Sequence, residues 1–175
     1  MKNRIGKPSR LIIGLVAGLL LVGSVVGFAR NKGILFVAGK PAVQIKLSGT
    51  VERNDEKLSL DKVSEVKPDE ILHWTIASEN TGDGTANEYK TVGKIPNGTI
   101  FVENSAKAEK PAAVTYSIDG GKNFSKLPLI DEKQPDGTVK QVLAPTKLYT
   151  HLRFEWQSAL SPTEKVIASY DVKVK

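Results

Sequence analysis

Two histidines and a glutamate are the residues of this chain best suited to binding a transition metal. His73, His151 and Glu155 carry the imidazole and carboxylate groups that Zn²⁺ accepts as ligands. The sequence has none of the short ligand spacings that mark zinc sites, and it contains no cysteine, which excludes disulfides and thiolate metal sites. Each histidine alternates with apolar residues along an extended run, so we expect both side chains to be solvent-facing or half-buried.

A glycine-containing stretch, 80–87, is the next candidate site because it gathers carboxylate and amide oxygens from Asn80, Asp83 and Asn87. It lacks the ligand spacing and the terminal glutamate of an EF-hand loop. Gly82 and Gly84 precede neither a Lys-Ser/Thr pair nor a helix, so they do not form a phosphate-binding loop. We predict a turn here, although ion binding by this loop stays open.

Nucleophilic catalysis has no matching pattern either. No serine lies in a G-x-S-x-G motif, and no histidine follows in the order that a hydrolase requires. We therefore predict that the protein is not an enzyme, and we assign no catalytic, cofactor-binding or metal-binding residue and no cofactor.

The charge of the chain is unevenly distributed. The formal net charge is +6, from 25 basic and 19 acidic residues. Four of the basic residues and none of the acidic ones lie in 1–29, which leaves 21 basic against 19 acidic residues, or +2, in the remainder. A domain this close to neutrality has no electrostatic footprint for phosphate backbones, so we predict no nucleic-acid partner.

The amino terminus has the features of an export signal. A basic flank, 1–10, precedes 19 uncharged residues, 11–29, which as a helix would span roughly 28 Å, close to a bilayer core. The flank should stay in the cytoplasm and the chain from Arg30 onward should lie outside. Residues 11–29 are either a transmembrane anchor or a signal peptide cleaved after Ala29, and both interpretations remain open. We predict the membrane as a partner through 11–29, and a linker over 30–41.

Residues 42–175 show the period-two pattern of β-strands. Leu72, Trp74 and Ile76 share one face of a central strand that ends at a turn beginning at Asn80, and similar alternation recurs to the end of the chain. We count roughly seven to nine short strands with turn signals every 8–12 residues, and this pattern predicts an all-β antiparallel β-sandwich. We expect Trp74 and Trp156 to fill the space between the sheets and Phe124 to fold back onto the core.

The other segments are assigned from their turn signals. We predict a surface loop over 106–112 and an exposed hairpin around Gln134-Pro135-Asp136-Gly137. Several segments then resemble, in the right order, the bacterial conserved-repeat surface domain, catalogued as domain of unknown function eleven; they are V-K-P-D-E-I-L-H-W-T-I from Val66, N-T-G-D-G from Asn80, I-P-N-G-T-I-F-V from Ile95 and Y-S-I-D-G-G from Tyr116.

This resemblance, which covers about 65–175, implies an immunoglobulin-like sandwich in an exported or cell-surface protein, with no catalytic residues to transfer. The family often occurs in tandem arrays, whereas this chain has one copy. The expected function is therefore a non-catalytic structural, adhesion or assembly module of the bacterial cell envelope, with an unknown envelope protein or polysaccharide as partner. The alternative is an extracytoplasmic ligand- or carbohydrate-binding domain that uses exposed aromatic side chains.

Overall fold

The computed structural model describes residues 39–175, and this part of the chain is all-β. It contains no α-helix, only two three-residue 3-10 helices, Leu60–Lys62 and Thr146–Leu148. The strands are β1 (Val43–Arg53), β2 (Glu56–Ser59), β3 (Ile71–Asn80), β4 (Lys90–Lys94), β5 (Thr99–Phe101), β6 (Lys107–Ala108), β7 (Ala112–Ser117), β8 (Leu129–Lys133), β9 (Val139–Leu143), β10 (His151–Trp156) and β11 (Lys165–Val174).

The strands form three antiparallel sheets. The large sheet has six strands in the order β2-β1-β3-β11-β5, with β6 also paired to β11. The small sheet has the order β4-β10-β7, and β8 and β9 pair only with each other. The large and small sheets share one hydrophobic core, an arrangement consistent with a β-sandwich.

The central strand β3 follows the alternation predicted from its sequence. Leu72, Trp74 and Ile76 are buried, whereas His73 and the other residues between them are half-buried on the outer face. The strand lies between β1 and β11 and pairs with both of them in antiparallel ladders. The strand ends at Asn80 because the chain there enters the glycine-containing turn.

Both tryptophans are core residues, as predicted. Trp74 is 3% exposed on the large sheet and Trp156 is 7% exposed on the small sheet. Phe154 stacks beside Trp156, with ring centroids 6.4 Å apart. Gly93 of β4 lies close to the Tyr170 ring of β11, since a Cβ added there would come within 2.6 Å of a ring carbon. The absence of a side-chain carbon at position 93 thus lets the two sheets approach each other closely.

Three expectations need correction. The described residues form eleven strands rather than seven to nine, because short pairings such as β6 carry almost no sequence pattern. The predicted surface loop over 106–112 contains β6, and its alanines pack against the core. Phe124 does not reach the core; its ring lies 4.3 Å from the guanidinium carbon of Arg153, on the outer face of the small sheet.

The predicted amino-terminal helix, 11–29, lies outside the described residues. Within 39–175 no helix is long and apolar enough to cross a membrane.

Candidate functional site

The two histidines lie on opposite outer faces of the domain. His73 projects from the large sheet and His151 from the small sheet, because each alternates with core residues on its own strand. His73 Nδ1 lies 2.8 Å from Asp171 Oδ1, and Glu155 forms an ion pair with Arg153. The structure therefore does not bring His73, His151 and Glu155 together.

An acidic groove of about 500 Å³ opens beside the β1–β2 turn, lined by Glu52, Asn54, Asp55, Asp69, Glu70, Ile71 and His73. Glu70 accepts hydrogen bonds from Arg53 Nε at 2.6 Å and Nη2 at 2.9 Å, and these hold the pKa of Glu70 below its usual range. Lys173 Nζ lies 2.7 Å from Asp69 Oδ1. Within 39–175 no three potential ligand side chains are arranged to hold a metal ion.

The 80–87 loop is organised around the buried side chain of Asn80. Its amide nitrogen donates to the carbonyl oxygens of Gly84 at 2.7 Å and Leu160 at 2.9 Å. Its amide oxygen accepts from the backbone N–H groups of Ala42 and Gly82, each at 3.1 Å. All the hydrogen-bonding capacity of Asn80 is thus used to shape the loop.

The same loop clamps the chain where it enters β1. Asp83 Oδ1 accepts from the Lys40 backbone N–H at 2.7 Å, and Gly84 donates to the Lys40 carbonyl at 3.3 Å. A Cβ on Gly84 would overlap the carbonyl oxygen of Gly39. The glycines therefore permit close backbone packing, and residues 39–41, which the sequence placed in a linker, lie against the domain.

A second polar loop follows β7 and is centred on Asp119. Its carboxylate accepts from the backbone N–H of Asn123 at 3.0 Å, from the Ser117 hydroxyl at 2.7 Å and from the Asn123 side chain at 2.7 Å. These hydrogen bonds, with that of the Asn123 backbone contributing most, hold the pKa of Asp119 far below its usual range. The loop is a structural turn that carries the chain over the small sheet.

The β8–β9 hairpin, residues 129–143, contributes no side chain to the hydrophobic core. Its base is closed by a hydrogen bond from the Ala144 N–H to the Pro128 carbonyl at 2.9 Å. Its turn is closed by a bond from the Gln134 N–H to the Thr138 carbonyl at 2.8 Å. Neither strand pairs with any other strand of residues 39–175.

One face of this hairpin is exposed and carries three large apolar side chains. The register pairs Leu129 with Leu143 and Lys133 with Val139, and the pair Asp131 with Gln141 lies between them on the same face. Leu129 is 49%, Val139 65% and Leu143 59% exposed. We call Leu129, Val139 and Leu143 the apolar hairpin face. The opposite face carries Ile130 and Val142, which are half-buried.

Exposed apolar side chains are concentrated at this hairpin. Residues 39–175 have six large hydrophobic side chains in the exposed class, and four of them lie between Leu127 and Leu143. A two-stranded hairpin is at best marginally stable alone in water, and a clustered apolar surface generally marks a contact site. The apolar hairpin face is therefore the candidate functional site.

Comparison of the chain with protein-family models, with curated proteins and with solved structures found no match. The likeness to the conserved-repeat surface domain therefore stays a prediction.

The sequence predicted the hairpin but not its apolar face. Gln134-Pro135-Asp136-Gly137 indicated an exposed turn, and Gly137 has a φ of +87°, as such a turn requires. The apolar face was not predicted because the pairing register of the two strands was not assigned. Once Gln134 pairs with Thr138, Leu129 must lie opposite Leu143. The length of the loop between the two strands fixes this register, so the sequence contained the information.

Proposed function

We propose that this chain is a non-catalytic, exported cell-envelope protein whose single immunoglobulin-like sandwich acts as an assembly module. The observation that carries the proposal is the apolar hairpin face, on a hairpin that pairs with no other strand of the domain. In a surface module of this kind, such a face is a contact site for another protein. Catalysis has no comparable support, since two of the four acidic side chains at the groove, Glu70 and Asp69, are engaged with Arg53 and Lys173.

The immunoglobulin-like assignment is supported by the topology. The chain crosses between the large and small sheets four times, at β3–β4, β4–β5, β6–β7 and β10–β11. Crossings between two antiparallel sheets around one core are typical of such sandwiches. Export is supported by the basic flank and the uncharged run 11–29.

The alternative, a carbohydrate-binding domain, finds less support. Both tryptophans are buried, and no aromatic side chain in residues 39–175 belongs to the exposed class. Tyr116 and Tyr149 stack with centroids 4.9 Å apart, but both pack against the core. A sugar-stacking platform needs an exposed ring face, which these residues do not offer.

Removing the hairpin tests the proposal. Because the Ala144 N–H bonds to the Pro128 carbonyl, residues 129–143 can be replaced by an Asn-Gly turn that keeps this bond. We expect the full-length wild type to migrate as an assembly on native gels of envelope extracts in mild detergent, and the hairpin-deleted chain as a monomer. Equal migration of the two would reject the assembly function.

Point variants provide the matched control. Leu143→Asp places a charge on the apolar hairpin face and should dissociate the assembly. Val92→Asp changes another exposed hydrophobic residue, 45% exposed on the small sheet, and should leave the assembly intact. Dissociation by both variants would point to a general effect of surface charge and against the hairpin.

A further inference from the structure

The free edge of β9 has a defined set of backbone groups directed outward. In an antiparallel pair, hydrogen-bonded and non-hydrogen-bonded residue pairs alternate. The pairs Gln134–Thr138 and Pro128–Ala144 are hydrogen-bonded. By alternation, the odd-numbered pairs between them, 133 with 139, 131 with 141 and 129 with 143, are non-hydrogen-bonded pairs. The N–H and C=O groups of Val139, Gln141 and Leu143 therefore point away from β8.

These three residues are suited to pairing with the same strand of a second copy. With a two-fold axis at Gln141, Val139 lies opposite Leu143 of the other copy, and Gln141 lies opposite itself. All the outward groups meet their equivalents, giving about six hydrogen bonds. The only charged residue of β9, Lys140, then faces Val142 of the second copy, so no like charges are opposed.

The other edge of the hairpin does not allow this pairing. The outward residues of β8 are Leu129, Asp131 and Lys133, by the same alternation. A two-fold axis at Asp131 would place two carboxylates directly opposite each other, which destabilises a strand pair. The neighbouring Glu132 adds further negative charge to this edge. Charge therefore distinguishes β9 from β8.

We infer that a second copy of this chain binds along β9, forming a four-stranded antiparallel sheet in the order β8-β9-β9-β8. The inference rests on the proposed assembly function and names its partner. The pairing sets Leu143 of each copy directly opposite Val139 of the other, so the two side chains pack side by side and cover part of each other on either side of the central Gln141 pair. It also gives the isolated hairpin the additional strands that a stable sheet needs.

Disulfide trapping in the full-length chain tests this geometry. Because the chain has no native cysteine, every disulfide must form through the introduced residue. In the proposed sheet the two Gln141 Cα atoms are about 5.5 Å apart, within the range that a disulfide spans. The Asp131 Cα atoms are separated by three strand spacings, about 14 Å. In membranes under mild oxidation, Gln141→Cys should form the cross-linked homodimer about tenfold faster than Asp131→Cys, whose separation is outside that range.

Asp131→Cys is a matched control because Asp131 pairs directly with Gln141 on the same face of the same hairpin. Equal cross-linking by both variants, or faster cross-linking by Asp131→Cys, would overturn the inference. A lack of homodimer from Gln141→Cys, with the wild-type assembly still lost on hairpin deletion, would also overturn it and leave the assembly function standing. An assembly that survives hairpin deletion would reject the assembly function itself.

A second variant changes only the free edge. Gln141→Pro removes an N–H that points away from β8, so the bonds within the hairpin persist, while the edge is blocked to a second copy. The full-length variant in detergent should lose the dimer on light-scattering chromatography, and Gln141→Thr, which keeps the N–H, should retain it. A Gln141→Pro protein that remains dimeric through the hairpin would contradict pairing at β9.

Discussion

Tyr170 of β11 donates its hydroxyl proton to the backbone carbonyl of Lys94 at the end of β4, at 2.7 Å. The bond joins the large sheet to the small sheet, and Tyr170 is 1% exposed. Burial raises the pKa of Tyr170 well above its usual range, so the hydroxyl remains a donor at all ordinary pH values.

Tyr170→Phe should destabilise the domain by about 1 kcal/mol, the typical net contribution of one hydrogen bond, because the bond between the sheets is lost while the ring is kept. Urea unfolding of a fragment comprising 39–175 measures the change. Tyr149→Phe, which removes a hydroxyl from a half-buried ring, is the control and should shift the midpoint less. Equal midpoints for Tyr170→Phe and the wild type would mean that the bond adds nothing to stability.

Trp74→Ala should be among the most damaging single changes. Truncating a buried aromatic residue to alanine typically costs about 3–5 kcal/mol through lost transfer energy and the cavity left behind. Thr75→Ala, on the outer face of the same strand, should cost a small fraction of that. If urea titrations gave both variants the same midpoint, Trp74 would not be the core residue that its 3% exposure indicates.

Sequence periodicity was sufficient for the long strands and insufficient for the short ones. β3, β10 and β11 each have one face in the core, so burial imposes a period of two on their sequences. β6 has two residues and is held by pairing with β11, a long-range contact that leaves no local pattern. Phe124 was misplaced for a related reason, because its partner Arg153 lies on a distant strand.

Gly84→Ala should destabilise the domain through a backbone clash with Gly39 rather than through loss of flexibility. A Cβ at position 84 would overlap the Gly39 carbonyl oxygen, so the segment 39–42 must shift and weaken its hydrogen bonds. We expect a loss of about 1–3 kcal/mol, the scale typical of overpacking. Thermal unfolding of 39–175 measures this loss.

Deleting 39–42 provides the control for that clash. The fragment that starts at Val43 should itself be less stable, because Asn80 loses the Ala42 N–H, which donates at 3.1 Å. In this shorter fragment Gly84→Ala should cost much less, since its steric partner is gone. An undiminished cost would place the strain elsewhere in the loop.

Asp119 should make the domain sensitive to acid. The pKa of Asp119 is lowered in the folded state, so its contribution to stability is complete above the unfolded pKa of about 3.9 and is lost as the pH falls below it. Asp119→Asn removes the charge, so wild type should exceed this variant in stability at neutral pH by more than at low pH. Denaturant midpoints across the acid range give the comparison, and a constant difference would contradict this assignment.

The candidate site was only partly predictable because it is defined by what surrounds it. Turn residues indicated the hairpin, but the exposure of Leu143 goes with β8 and β9 pairing only with each other, which is a property of the whole topology. The histidines show the reverse. Their placement on outer faces followed from alternation alone, whereas their separation depends on β3 and β10 lying in different sheets.

Cysteine labelling in intact cells most directly tests the central claim that the hairpin is covered by a partner outside the cytoplasm. Leu143 is 59% exposed and Val92 45% exposed in the single domain, so Leu143→Cys should react with a membrane-impermeant maleimide at least as fast as Val92→Cys in the purified fragment diluted until it is monomeric. In intact cells we expect Val92→Cys to remain reactive and Leu143→Cys to be protected. Equal labelling of both in cells would contradict the assembly function, and labelling of neither until the cells are lysed would contradict export.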